Sequence, residues 1–371
     1  MGLRSATSTL PAREGRVGVL PSQRLRALIA EDVIAAEPAL GQGQVQPASV
    51  DLRLGSFAVR VRASFLAGRG RTVEERLPDF EMHRFDLAPG AVLEKGCVYL
   101  VPLMERLALP PELDGAANAK SSTGRLDLLT RTICDGGVEF DRIPPGYQGP
   151  LWAEICPRSF SVLVRPGMRL NQLRLREGEA RLSDGDLRAL HARVPLVQGA
   201  EGVIDDGLGF SVDLAGSGRV GWRAKPHAGV IDLDRLGHYA PRAFWEEIHA
   251  EEGRIILDPG AFYILMSREA VTIPPNHAAE MAPYLAMVGE FRVHYAGFFD
   301  PGFGHGDHGA GSRGVLEVRC HEAPFALEHG QVVGRLLYER MTAVPDALYG
   351  AGIASNYQGQ GLKLSKHFAE P

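Results

Sequence analysis

The chain has 371 residues, 45% of them hydrophobic and 23% charged, with a formal net charge of −5. That length leaves room for two domains with cores of their own, and the composition is that of a water-soluble globular protein. The acidic balance argues against a general nucleic-acid binder, and neither a bilayer-spanning apolar run nor a secretory h-region is present, so a cytoplasmic protein without membrane or nucleic-acid partners is expected. Four dispersed cysteines, Cys97, Cys134, Cys156 and Cys320, with no C-x-x-C, read as reduced, mostly buried thiols. Glycine at 44 and proline at 25, with short β-branched runs between them, favour many short strands over long helices.

In chain order, Leu25, Leu28, Ile29 and Val33 form one apolar stripe and predict a helix capped by Ser22. Residues 50–55 and 57–61 alternate as strands, 62–90 form a less regular excursion, and 92–109 read as two strands closed by Pro110-Pro111. From 127 to 175 the pattern is strand, turn, strand, and 183–192 predicts a short helix. The organising feature is a repeat: residues 92–111 align without a gap on 256–275, sharing apolar-apolar-acid-x-Gly, a Tyr and a closing Pro-Pro. The offset stays nearly constant elsewhere, setting Ser49-Val50-Asp51-Leu52 on Ser211-Val212-Asp213-Leu214, Glu154 on Glu317 and Gly167 on Gly330. Two copies of one β-domain account for this, divided as 1–195 and 196–371.

Chemistry concentrates in Lys120-Ser121-Ser122-Thr123-Gly124-Arg125, where two adjacent serine hydroxyls and two cations within six residues suit phosphate oxygens. Downstream, Arg142-Ile143-Pro144-Pro145-Gly146-Tyr147 leads into Trp152-Ala153-Glu154, an acid among apolar neighbours and so a candidate for proton transfer. The set K-S-S-x-x-R-L, R-I-x-P-G-Y-x-G-x-x-x-x-E and Arg165-Pro166-Gly167-Met168 with Gln172 resembles the dCTP deaminases of the dUTPase-like superfamily. The resemblance implies a mainly β protein: two tandem dUTPase-like distorted β-barrel or jelly-roll domains with a few short helices. It implies a hydrolase of a cyclic amidine C–N bond that converts dCTP to dUTP and ammonia, in pyrimidine deoxynucleotide synthesis. It also implies a homo-oligomer, with a trimeric arrangement as the family pattern.

By the same resemblance Glu154 carries protons between water, N3 and the leaving amine, while Ser121 and Arg125 position the water and stabilise charge at C4. Lys120, Ser122 and Arg142 are then phosphate ligands, and Gln172 faces the nucleotide. Mg²⁺ is expected with the triphosphate, held by its oxygens and by water. No zinc is expected, because His249-Ala250-Glu251 matches half of a zinc-deaminase signature but no P-C-x-x-C exists. His249 and Glu251 are assigned instead to a solvated helix face, and His305-Gly306-Asp307-His308 to a loop.

In the second half Pro283, Tyr284, Met287 and Phe298 replace the serines and arginines, Arg335 replaces Gln172, and Glu317 alone survives, which predicts a catalytically degenerate copy. Its intact Asp300-Pro301-Gly302-Phe303 turn suggests that the fold is kept. Tyr349, Tyr357 and Gln360 resemble the family's nucleotide-covering tail, with Asn356 where a lysine is usual, so a composite site with a lid from the second half of the same or another chain is expected. Two departures mark the first half: a segment near 127–137 longer than the family's, and Pro144 where the family often has an aspartate near the sugar. Three rivals stand beside the deaminase: a bifunctional deaminase–diphosphatase giving dUMP, a pure dUTP diphosphatase, for which Asp141 is the nearby candidate to activate water, and a non-catalytic nucleotide sensor.

Overall fold

The computed structural model describes residues 17–283, 291–293, 297–306, 310–350 and 361–370, built of short strands in small sheets with few, short helices. The first helix, Ser22–Ala30, buries Leu25 and Leu28 as its stripe predicts. Its N-cap is Pro21 rather than Ser22, whose hydroxyl donates to the carboxylate of Asp346 far along the chain. The excursion after residue 61 contains one helical turn, Val73–Arg76, closed by a reciprocal capping box between Thr72 and Glu75.

The two halves match strand for strand. In the first, Glu81–Asp86, Phe57–Val61, Val98–Ala108, Gln148–Pro157 and Leu128–Cys134 lie side by side, with Ile34–Ala36 also on Val98–Ala108. In the second, Trp245–His249, Arg219–Ala224, Phe262–Val271, Ser312–Cys320 and Phe291–Val293 repeat that order, with Val197–Gln198 on Phe262–Val271. The companion sheets also correspond: Arg169–Glu177 pairs with Leu113–Ala119, as Val332–Arg340 pairs with His277–Pro283. Five-residue Trp245–His249 is a strand, not the helix expected around His249, because it pairs with Arg219–Ala224 while Trp245 packs its indole beside Phe160. Tertiary pairing overrides the local period there.

The cores are shared across the seam. Trp222, Phe244, Trp245, Phe262 and Phe368 of the second half join the first half's core. The helix Asp184–Arg193, capped by Ser183, buries Leu187 and Leu190 in the second core. Ion pairs fasten the same seam: fully buried Arg174 holds Glu339 at 2.9 Å and the Ala279 carbonyl at 3.0 Å, and Arg319 meets Asp127. A strand's period of two then orients Ser312–Cys320: Leu316, Val318 and Cys320 enter the second core, while Glu317 and Arg319 face the first half. Cys134, Cys156 and Cys320 are buried free thiols and Cys97 is half-buried, and burial pushes Cys134 up to about 11. No helix among the described residues is long and apolar enough to cross a membrane.

Candidate active site at the seam between the halves

A cavity of about 440 Å³ opens where the Lys120–Arg125 turn of the first half faces the second half. The turn is short because Ser121–Gly124 makes only one helical turn between two strands. It is tied to the sheet at Leu170, whose carbonyl accepts from the Lys120 amide at 2.8 Å and from the Thr123 hydroxyl at 3.1 Å. Lys120 pairs with the carboxylate of buried Asp51, and Arg169 approaches the same carboxylate at 3.8 Å. Gln172 lines the cavity and is held by Asn118, to which its amide donates at 2.8 Å.

The opposite wall belongs to the second half: Glu317, Phe298, Asp300, Phe303 and Tyr349 all line the cavity. A methyl group built on Gly297 would sit 3.9 Å from the Ser121 hydroxyl, so the walls close in at that serine. Glu317 Oε1 lies 4.0 Å from Arg125 Nε, and both side chains are almost fully buried. Burial pushes the Glu317 carboxyl up to about 8, against the pull of Arg125 and with a further push from Asp127. Asp300 is likewise raised by burial, with Arg174 and Lys120 opposing. Tyr349 is seated by its amide on the Pro301 carbonyl at 2.9 Å, with its ring 5.6 Å from that of Phe303.

Of the residues expected from the sequence, Lys120, Ser121, Ser122, Arg125, Gln172 and Tyr349 converge on this cavity. Two do not. Glu154 is on the far face of Gln148–Pro157, where its carboxylate is taken by Arg131, whose guanidinium lies 3.6 Å from the Phe140 ring centroid. That face is roofed by the excursion, through Phe65, Val73, Leu77 and their neighbours. Arg142 is exposed outside this cavity, with Glu139 at 3.8 Å and Asp114 beside it in a separate, smaller cleft. Tyr357 and Gln360 lie outside the described residues, as do Tyr284, Met287, Asp307 and His308.

The longer segment 127–137 touches the cavity at Leu128 and otherwise braces the excursion: Asp135 accepts from the Val73 amide at 2.8 Å, and the Gly137 carbonyl accepts from Gly68 at 2.9 Å. Asp141 is half-buried, its carboxylate accepting from the Thr132 amide at 2.7 Å, and desolvation pushes it up to about 7, but it does not line the cavity. The second half, expected to be silent, thus supplies the acid that faces Ser121 and Arg125. The sequence signal was present: Glu317 and the Asp300 turn both persist in that copy.

A duplicated, mainly β chain with an acid, a guanidinium and hydroxyls gathered at its seam has known counterparts. The family model of the 2'-deoxycytidine 5'-triphosphate deaminase N-terminal domain matches residues 16–179, and that of the C-terminal domain matches 183–368. The chain belongs to the dCTP deaminase family. A dCTP deaminase of Natronomonas pharaonis is 31% identical over 165 residues, covering 43% of this chain and 80% of that protein. A dUMP-forming dCTP deaminase of Coprothermobacter proteolyticus is 31% identical over 160 residues, covering 42% of this chain and 80% of the relative. The crystal structure of a 2'-deoxycytidine 5'-triphosphate deaminase from Agrobacterium tumefaciens superposes with a TM-score of 0.85 at 53% identity, covering 88% of this chain and all of that one.

Proposed function

We propose that this chain hydrolyses the exocyclic C–N bond of dCTP, releasing dUTP and ammonia, in one site assembled from both halves. The observation that carries the reading is the convergence of Ser121 and Arg125 with Glu317, rather than with Glu154, on one cavity. Glu317 as carboxylate takes a proton from water as the oxygen bonds to C4 and hands it to N3; it then takes the remaining proton from the new C4 hydroxyl and passes it to the amine as the C–N bond breaks. A carboxyl pushed up to about 8 accepts and returns a proton near neutrality with little driving-force penalty. Arg125, locked by the Lys363 carbonyl at 2.8 Å, balances the negative charge that builds up beside Glu317, and Ser121 positions the water. Asp300, on the Phe298-lined wall, suits a sugar hydroxyl, the place that Pro144 leaves vacant in the first half.

Lys120, Ser122, Gln172 and Tyr349 then hold the nucleotide, with Tyr357 and Gln360 as further ligands from the tail. Mg²⁺ arrives with the triphosphate, held by its oxygens and by water. The acid-base work falls to Glu317, so no zinc is invoked. Each half is read as a distorted barrel of the dUTPase type, on the strength of the strand-for-strand correspondence. Apart from Tyr357 and Gln360, the groups assigned here meet in one cavity within a single chain. A dUMP-forming enzyme is the second reading, favoured by relatives that carry that name.

Incubation of purified protein with dCTP and Mg²⁺, without added zinc, followed by ion-exchange chromatography, separates the readings. dUTP accumulating with ammonia is the expected outcome. Direct dUMP with pyrophosphate favours the bifunctional enzyme, and an unchanged dCTP peak removes catalysis altogether.

A further inference from the structure

The last described segment, 361–370, crosses back over the first half and is clamped on either side of Lys366. Before it, the Lys363 carbonyl accepts from Arg125 at 2.8 Å and the Ser365 hydroxyl donates to the Ser122 carbonyl at 2.7 Å. After it, the His367 ring bonds to both Ser365, at 2.9 Å, and the Leu233 carbonyl, at 3.1 Å, and Phe368 enters the aromatic core beside Phe244 and Trp245. The Lys366 carbonyl itself accepts from the Gly237 amide at 2.9 Å. With the backbone held on both sides of it, Lys366 lines the cavity.

What it meets there is mostly positive. The charged neighbours of Lys366 are Lys120, Arg169 and Asp51, and the single carboxylate among them is already engaged by Lys120. Asp234, Asp300 and Glu317 line other parts of the cavity, but at the Lys366 corner three cations stand against one anion, an arrangement that suits a polyanion. Burial and the Lys120 and Arg169 charges accordingly push the Lys366 ammonium down from its usual range.

We propose that Lys366 binds the phosphate chain of the nucleotide in this cavity, delivered by the strap 361–370. The proposal rests on the deaminase reading for the identity of the nucleotide, but not for the chemistry of the anion, which is an oligophosphate. A hydrogen bond from ammonium to phosphate contributes about 1.5–3 kcal/mol, roughly ten- to hundredfold in affinity.

The test compares wild type with Lys366→Met, Lys366→Arg and the remote surface control Lys95→Met. The kcat and KM for dCTP are measured alongside calorimetric binding of inorganic tripolyphosphate with Mg²⁺. Lys366→Met is expected to raise KM at least about tenfold with kcat within about threefold, and to weaken tripolyphosphate binding in parallel. Lys366→Arg should restore most of both, and Lys95→Met should match wild type. If Lys366→Met melts early, Lys366→Gln takes its place. Wild-type KM and wild-type tripolyphosphate affinity in a folded Lys366 variant overturn the proposal while leaving the deaminase intact. Lys366-dependent tripolyphosphate binding in a protein that never turns over dCTP supports the anion site and removes the deaminase reading instead.

Discussion

Replacing Glu317 with Gln tests the assignment in two ways at once, because the same carboxyl controls proton transfer and titrates far from its ordinary range. The side chain keeps its size and sits 4.0 Å from Arg125, so the cavity wall is preserved while the titrating group is lost. General acid-base groups contribute about 10²–10⁴-fold, and kcat for deamination should fall by that factor with KM nearly unchanged. The thermodynamic signature follows from the shift of Glu317 from 4.5 to about 8. Between those values the folded protein holds a proton that the unfolded chain has released, so wild-type stability falls as pH rises, by about 1.4 kcal/mol per pH unit. Over that span of roughly 3.5 units the cost reaches about 5 kcal/mol, all of it present above pH 8 and absent below 4.5. Glu317→Gln removes this slope. Denaturant melts at pH 6 and pH 9 therefore converge for the variant relative to wild type, and kcat/KM of the wild type rises with pH towards about 8 as the base ionises. Full deaminase activity in Glu317→Gln would refute the reasoning, and an unaltered stability slope would refute the burial account of the carboxyl.

Glu154→Gln, in contrast, should keep kcat within about threefold of wild type, since Glu154 is turned away from the cavity. It should lower stability by about 1–3 kcal/mol by weakening the bond to Arg131, seen in a urea melt. A loss of turnover with unchanged stability would return the proton shuttle to the first half. Arg174→Met leaves Glu339 and the Ala279 carbonyl without their shared donor at the seam and should cost about 3–5 kcal/mol. A melting curve superimposable on wild type would show that this buried pair does not hold the halves together.

The β architecture and its duplication were legible because both are written in short-range signals: Gly and Pro turns, period-two strands, and a repeat with a nearly constant offset. The Lys120–Arg125 turn was legible for the same reason, as its chemistry is contiguous. The partner acid was not. Glu154 and Glu317 occupy equivalent strand positions, and sequence alone does not tell which face of a strand a second domain will cover. In the first half that face is roofed by Phe65, Val73 and Leu77; in the second it meets Ser121 and Arg125. Arg142 shows the same limit, since a guanidinium three residues after Glu139 reads identically whether it points to phosphate or to solvent. Lys366 lay beyond any local pattern, because its place depends on where Ser365, His367 and Phe368 anchor.

The mismatch between the two copies gains a meaning from their shared cavity. Pro144 stands in the first copy where Asp300 stands in the second, and Pro283 and Tyr284 stand in the second where Ser121 and Ser122 stand in the first. Each copy has shed what the other still provides. Once joined on one chain, the two no longer needed to be interchangeable, so selection could act on each wall of the cavity separately. Identical subunits cannot follow that path, because every substitution in them appears on both walls at once. The covalent link between the halves therefore also acts as a licence for asymmetry: the second copy, cut free, lacks the serines and arginines from which such a site is built.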